Sequence, residues 1–106
     1  MRLGNLAADM ARMGSHLYDM RLANAVKTYL DESKWFCEWA GVQAAANDMD
    51  TAHTLSVLQR QLVRWQYHFD QLYADPVRRA EMAETARAWS NHLLVLSGLL
   101  TAHQRG

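Results

Sequence analysis

Apolar residues recur at alternating steps of three and four along most of the chain, which is the pattern of amphipathic α-helices. The first such stripe consists of Leu3, Leu6, Met10, Met13, Leu17 and Met20. A neighbouring stripe then follows at Tyr18, Leu22, Val26 and Tyr29. We assign the first stripe to the core from Met13 onward. Its earlier residues fit either the core or a partner chain, since methionine adapts to many surfaces.

Short polar segments predict where the helices end. Asp31-Glu32-Ser33 is the expected first break, with Asp31 or Ser33 as the next cap; the alternative is one helix from Leu3 to Ala46. A short aromatic helix then carries Trp35, Phe36, Trp39 and Val42, and ends at residues 47–50. The third helix has Asp50 or Thr51 as its cap, and its stripe is Leu55, Leu58, Leu62, Trp65, Phe69 and Leu72. Asp75-Pro76 begins the fourth helix, which extends to about His103.

These helices, joined by short loops, predict an all-α fold: an antiparallel helical bundle of three long helices plus one short helix, formed by residues 1–106 as a single domain.

The last helix is more apolar than one core requires. Its expected core stripe is Ala86, Trp89, Leu93, Leu96 and Leu100, and a second stripe is Ala88, His92, Val95, Leu99 and Ala102. We therefore predict a homodimer with this helix at the interface. In the alternative, the first helix covers the second stripe.

Composition and charge narrow the classes of partner. Half of the 106 residues are hydrophobic and 21% are charged, which argues against intrinsic disorder. Eleven Lys and Arg residues balance eleven Asp and Glu residues, so nucleic acid is not an expected partner. Residues 1–50 carry five basic and seven acidic side chains, and residues 51–106 carry six and four. This asymmetry favours pairing within the chain or head to tail.

Two groups of residues are candidates for binding. Trp35 and Trp39 lie one helical turn apart and fit either the core or an interface hot spot, where Trp, Tyr and Arg are enriched. Arg60 and Arg64 are also one turn apart, close to Tyr67, in a stretch without acidic residues. Arginine pairs bidentately with carboxylates, which suits a protein interface. The alternatives for this second group are a solvated face or DNA binding, and the neutral net charge argues against DNA.

The sequence also indicates the compartment. Cys37 is the only cysteine and has no internal disulfide partner, which favours a reducing environment. Asp9 and Arg12 interrupt the N-terminal apolar pattern, unlike a secretory signal. The most apolar stretch, Trp89 to Ala102, is too short to span a bilayer. We expect a cytoplasmic protein that does not enter a membrane.

Motifs for catalysis and metal binding are present only in part. His16 and His53 each lie three residues from an Asp, but the chain has no Glu-x-x-His, so we predict neither a metal site nor another cofactor. Ala52-His53-Thr54-Leu55 resembles the phosphoacceptor motif of histidine phosphotransfer domains, in which a lysine and a glycine follow; here Ser56 and Val57 follow. The spacing of Arg87 and His92 is similar to the Arg-x4-His motif of the helical HEPN ribonucleases. That resemblance implies RNA cleavage by Arg87 and His92.

The expected function is that of a small non-enzymatic regulator, of the anti-activator or inhibitor type. It would mask the surface of another protein, such as a transcription regulator, through apolar helix contacts. The alternative is the HEPN-like ribonuclease. The residues predicted for the partner or dimer interface are Trp35, Trp39, Arg60, Arg64, Tyr67, His92, Val95 and Leu99.

Overall fold

A computed structural model describes residues 3–97, apart from the side chains of Met20 and Asn47, and every regular element in that range is helical. The predicted all-helical fold is thus confirmed. Residues 3–97 form five α-helices instead of the four predicted, because an additional break lies at His68. The α-helices are α1 (Leu3–His16), α2 (Ala23–Asn47), α3 (Met49–Tyr67), α4 (Phe69–Ala74) and α5 (Pro76–Ser97), with a 3₁₀ turn at Met20–Leu22.

The first break lies at Asp19 rather than at residues 31–33. Asp19 has an extended backbone (φ −120°, ψ 111°), and its Oδ1 accepts the Arg21 N–H at 2.9 Å. Ser33 lies in the middle of α2 and is fully buried. Both predictions for this region, a break at 31–33 and one helix from Leu3 to Ala46, are therefore wrong. A capping preference contributes only about 1 kcal/mol, and the burial of one face of α2 outweighs it.

The caps of the later helices are Asp48 and Asp75. Asp48 accepts the Thr51 N–H at 3.1 Å and the Thr51 hydroxyl at 2.6 Å, so the predicted caps at Asp50 and Thr51 are wrong. At the start of α5, Asp75 Oδ1 accepts the Val77 N–H at 3.0 Å, which confirms the boundary predicted at Asp75-Pro76. The predicted third helix is divided at His68 into α3 and α4.

The helices associate mainly in two antiparallel pairs, α1 with α5 and α2 with α3, and α1 also packs on α2. In the first pair, Ser90 Oγ donates to the Ala7 carbonyl oxygen at 2.8 Å. A Cβ on Gly14 would lie 3.2 Å from the Ala83 carbonyl oxygen, so the two backbones approach closely there. The first apolar stripe is buried within this chain from Leu3 to Leu17, so its N-terminal residues belong to the core.

The short helix α4 contacts the chain at the first break, near Asp19. Tyr73 Oη donates to the Asp19 carbonyl oxygen at 2.6 Å, and the Tyr73 ring stacks on Phe69 at 5.2 Å. Trp65 is buried as predicted, whereas Trp89 is only partly buried. Among residues 3–97, no helix combines the length and the apolar character needed to cross a membrane.

Candidate protein-binding surfaces

The second half of α2 is arranged with small side chains inside and large apolar side chains outside. Its buried stripe consists of Ser33, Cys37, Ala40 and Ala44. On the outer side, Trp35, Trp39 and Val42 are 67%, 53% and 77% exposed. Small residues allow α3 to pack closely against α2, and the helical period then places the tryptophans on the opposite side. Of the two alternatives for Trp35 and Trp39, the structure therefore excludes the core of this chain.

Trp35 and Trp39 border a surface groove of about 640 Å³. Phe36 forms part of its wall, and the Trp39 ring contacts the Phe36 ring edge to face at 5.8 Å. Asp31 and Glu32 also line this groove. An exposed aromatic surface with carboxylates nearby suits a partner that presents both apolar and cationic side chains.

The outer side of α3 is basic and partly apolar. Arg60 and Arg64 are exposed, as predicted, and Tyr67 is 84% exposed. Arg60 Nη2 lies 3.4 Å from Ser56 Oγ, and neither arginine is within ion-pair distance of an acidic side chain in the described part of the chain. The exposed valines of this helix are Val57 and Val63.

Side-chain contacts hold α2 and α3 in a fixed register. Gln59 Nε2 donates to Glu38 Oε1 at 3.0 Å, and Gln66 Nε2 donates to Asp31 Oδ1 at 2.7 Å. The outer sides of the two helices thus form one continuous surface, which we call the hairpin face. It consists of Asp31, Trp35, Glu38, Trp39 and Val42 on α2, and Val57, Arg60, Val63, Arg64 and Tyr67 on α3. Five of the eight residues predicted for an interface lie on this one face.

Two of the other predicted interface residues, His92 and Val95, belong to α5. Ala88, His92 and Val95 are exposed, Val95 to 50%, so α1 leaves them uncovered. The alternative in which the first helix covers this stripe is therefore wrong for these three residues, which we call the α5 face. His92 packs edge to face on Trp89 at 5.8 Å and lines a groove of about 290 Å³. Leu99 lies outside the described residues.

The structure places Arg87 and His92 on different sides of α5. Five residues of helix separate their side-chain directions by about 140°. The Arg87 guanidinium lies 5.1 Å from the centre of the Tyr18 ring, and its Cγ packs at the Gly14 backbone. Within one chain, the two residues therefore do not point to a common site.

The remaining chemical candidates are isolated side chains. His53 is exposed near the start of α3. Burial, together with the Glu38 charge, raises the pKa of the Cys37 thiol to about 12, so this thiol stays protonated at neutral pH. Among residues 3–97, no three His, Cys, Asp or Glu side chains are grouped as a metal site would require.

One titratable group that sequence reasoning missed is Asp9, which lies between α1 and α2. Burial and the adjacent Glu32 carboxylate, to which it hydrogen-bonds, raise the pKa of Asp9 to about 6. An ion pair with Arg12 at 3.2 Å opposes this shift. No sequence motif marks this pair, because the two carboxyl groups meet only when α1 packs on α2. Val42, Val57 and Val63 were likewise missed as interface residues.

No protein family, curated protein or solved structure that was compared with this chain matches it.

Proposed function

We propose that this chain is a small non-enzymatic regulator that binds another protein through apolar helix surfaces and thereby masks part of that protein. The partner would be a cytoplasmic protein, such as a transcription regulator. Binding of this kind requires no chemical step. It requires large side chains that are already exposed and held rigidly on helices.

The observation that supports the proposal is the presence of two separate exposed surfaces with apolar side chains, the hairpin face and the α5 face. Soluble monomers seldom expose such patches unless they bind something. One uncovered face is accounted for by self-association alone, but two faces call for a second occupant.

The composition of the two faces also favours protein binding. Trp35, Trp39, Arg60 and Tyr67 are of the residue types that dominate binding energy at interfaces. The helices beneath them are fixed by the buried core, so little conformational entropy is lost when a partner binds. On the α5 face, Ala88 and His92 line a groove of about 290 Å³, which has room for an apolar side chain.

Affinity purification of the tagged chain from its native host tests this proposal. We expect one stoichiometric protein partner that is retained in moderate salt. At least one of two changes should remove that partner: Val95→Asp on the α5 face, or Trp35→Ala with Trp39→Ala on the hairpin face. The matched control for Val95→Asp is Gln71→Glu on α4, which adds the same single negative charge at an exposed site outside the α5 face. Recovery of the chain alone, or a partner that survives both changes, would contradict the proposal.

A further inference from the structure

We propose that a second copy of this chain covers the hairpin face. Two hairpins would pack face to face about a two-fold axis parallel to the helices. Helix α2 of each copy would then lie antiparallel against α3 of the other, and the four helices would form a bundle. This self-association does not depend on the foreign partner proposed above, which leaves the α5 face for that partner.

The charges of the hairpin face are self-complementary. Asp31 and Glu38 are exposed on α2, and each is bonded only to a neutral glutamine of α3. Arg60 and Arg64 are exposed on α3 without an acidic partner among the described residues. Two acids and two arginines thus lie side by side in one chain and remain unpaired. A two-fold axis places the acids of each copy opposite the arginines of the other.

The register of the hairpin matches these charges along the helix axis. The two hydrogen bonds place Gln59 at the same height along the helix axes as Glu38, and Gln66 at the same height as Asp31. Counting two residues back from Gln66 along α3 and two forward from Asp31 along α2 places Arg64 level with Ser33, between Asp31 and Trp35. Arg60 similarly lies within one residue of the level of Glu38. An axis parallel to the helices preserves these levels. Arg64 of the second copy therefore faces Asp31 and the Trp35 ring, and Arg60 of the second copy faces Glu38.

The apolar residues follow the same register. Val63 lies level with Lys34, so the two-fold axis places it opposite Trp35 of the second copy. By the same register, Val57 lies opposite Trp39 of the second copy. On α2, Trp35, Trp39 and Val42 are separated by steps of four and three, which is the spacing of a coiled-coil seam. The face therefore offers both apolar contacts and ion pairs to a second copy, as stable interfaces do.

The size of the face is sufficient for a stable dimer. Helix α3 has 19 residues and is about 28 Å long. Two helices packed side by side present a face about 20 Å wide. Side chains make this face uneven, so its accessible area exceeds the product of its length and width. That area approaches the roughly 800 Å² that each partner contributes to a standard interface.

A charge exchange tests the proposal with purified protein alone. Variant A carries Arg60→Glu and Arg64→Glu, and variant B carries Asp31→Lys and Glu38→Lys. Sedimentation equilibrium should give a dimer for the wild type and an increase in dimer Kd of at least 100-fold for A and for B separately. An equimolar mixture should form an A–B heterodimer, because both halves of that interface again pair opposite charges. Circular dichroism checks that each variant remains helical.

Glu81→Lys with Glu84→Lys is the matched control, since it makes the same charge change as variant B on exposed residues of α5. This control should remain dimeric. The proposal is overturned if the wild type is a monomer, if A or B alone remains a dimer, or if the mixture does not associate. Dissociation of the α5 control would also overturn it and would assign the dimer to α5, the helix expected from the sequence.

Discussion

Helix α1 and the second half of helix α2 use their large apolar residues in opposite ways. Helix α1 buries Leu6, Met10 and Met13 almost completely against its own chain. Helix α2 buries Ser33 and Cys37 at comparable positions and leaves its tryptophans outside. A chain that folded only to cover its own apolar surface would not expose the largest side chains of a central helix. The difference identifies α1 as part of the scaffold and α2 as part of a binding surface.

The largest expected effect comes from truncating one large residue in each helix. Met13→Ala should lower the free energy of unfolding by about 2–5 kcal/mol, because it leaves a cavity in a close-packed core. Trp35→Ala should change it by less than about 0.5 kcal/mol, as is usual for surface substitutions. Both changes are compared by denaturant unfolding in the Arg60→Glu, Arg64→Glu variant. Because that variant is expected to be a monomer, self-association does not contribute to the measured free energy of unfolding. A loss above about 2 kcal/mol for Trp35→Ala would place that residue in the core.

Gly14 of α1 and Gly41 of α2 differ in the same way at the level of the backbone. A Cβ on Gly14 would lie 3.2 Å from the Ala83 carbonyl oxygen and 3.1 Å from Arg87 Cγ, whereas a Cβ on Gly41 meets nothing within 4 Å. Gly41→Ala should stabilise α2 by about 0.5–1 kcal/mol through helix propensity. Gly14→Ala should be less stable than Gly41→Ala by about 1–2 kcal/mol, because crowding of α5 opposes the same gain. Thermal unfolding measures both variants, and equal stabilisation would show that α1 and α5 are not closely packed.

The contact between α1 and α2 should depend on pH through Asp9. Its pKa is about 6 in the folded chain, above the ordinary value of 3.8, so the folded state binds more protons between these values. The stability should therefore fall as pH rises from 4 to 6 and remain lower above that range. Asp9→Asn should stabilise the fold by about 1 kcal/mol at pH 7, after allowance for solvent screening, and by almost nothing at pH 4. Equal effects at both pH values would show that Asp9 titrates normally.

The smallest expected effect concerns Arg87, which the structure places in the α1–α5 contact. Arg87→Ala should reduce stability by about 0.5–1 kcal/mol through loss of the contact with Tyr18. Chemical denaturation gives that value, and His92→Ala, which alters an exposed residue, is the comparison. The ribonuclease alternative predicts another result: the wild type cleaves RNA, and both substitutions abolish cleavage with little change in stability.

The sequence predicts the all-helical fold because the three-and-four spacing persists over nearly the whole chain. It also predicts the boundary at Asp75, where proline and a capping residue coincide. It does not predict the break at Asp19, because Leu17 and Met20 continue the apolar spacing across it. The contact of Tyr73 with the Asp19 carbonyl oxygen joins residues far apart in the sequence, and no local pattern indicates it.

The candidate surface is predictable by residue type but not by its orientation. Trp35, Trp39, Arg60 and Arg64 are marked by chemistry in the sequence, yet the apolar pattern of α2 fits burial of its tryptophans equally well. The choice depends on close packing against α3, which selects the Ser33–Ala44 side as the inner one. That is a property of two helices together. The common face of the tryptophans and arginines depends on the same pairing.

The central claim is that the outer side of the α2–α3 hairpin is a protein interface. The most direct measurement is sedimentation equilibrium of the wild-type chain beside Trp35→Ala, Trp39→Ala over the same concentration range. We expect twice the mass of one chain for the wild type at micromolar concentration, and the mass of one folded chain for the double variant. A monomeric wild type, or a double variant that remains dimeric, would contradict it.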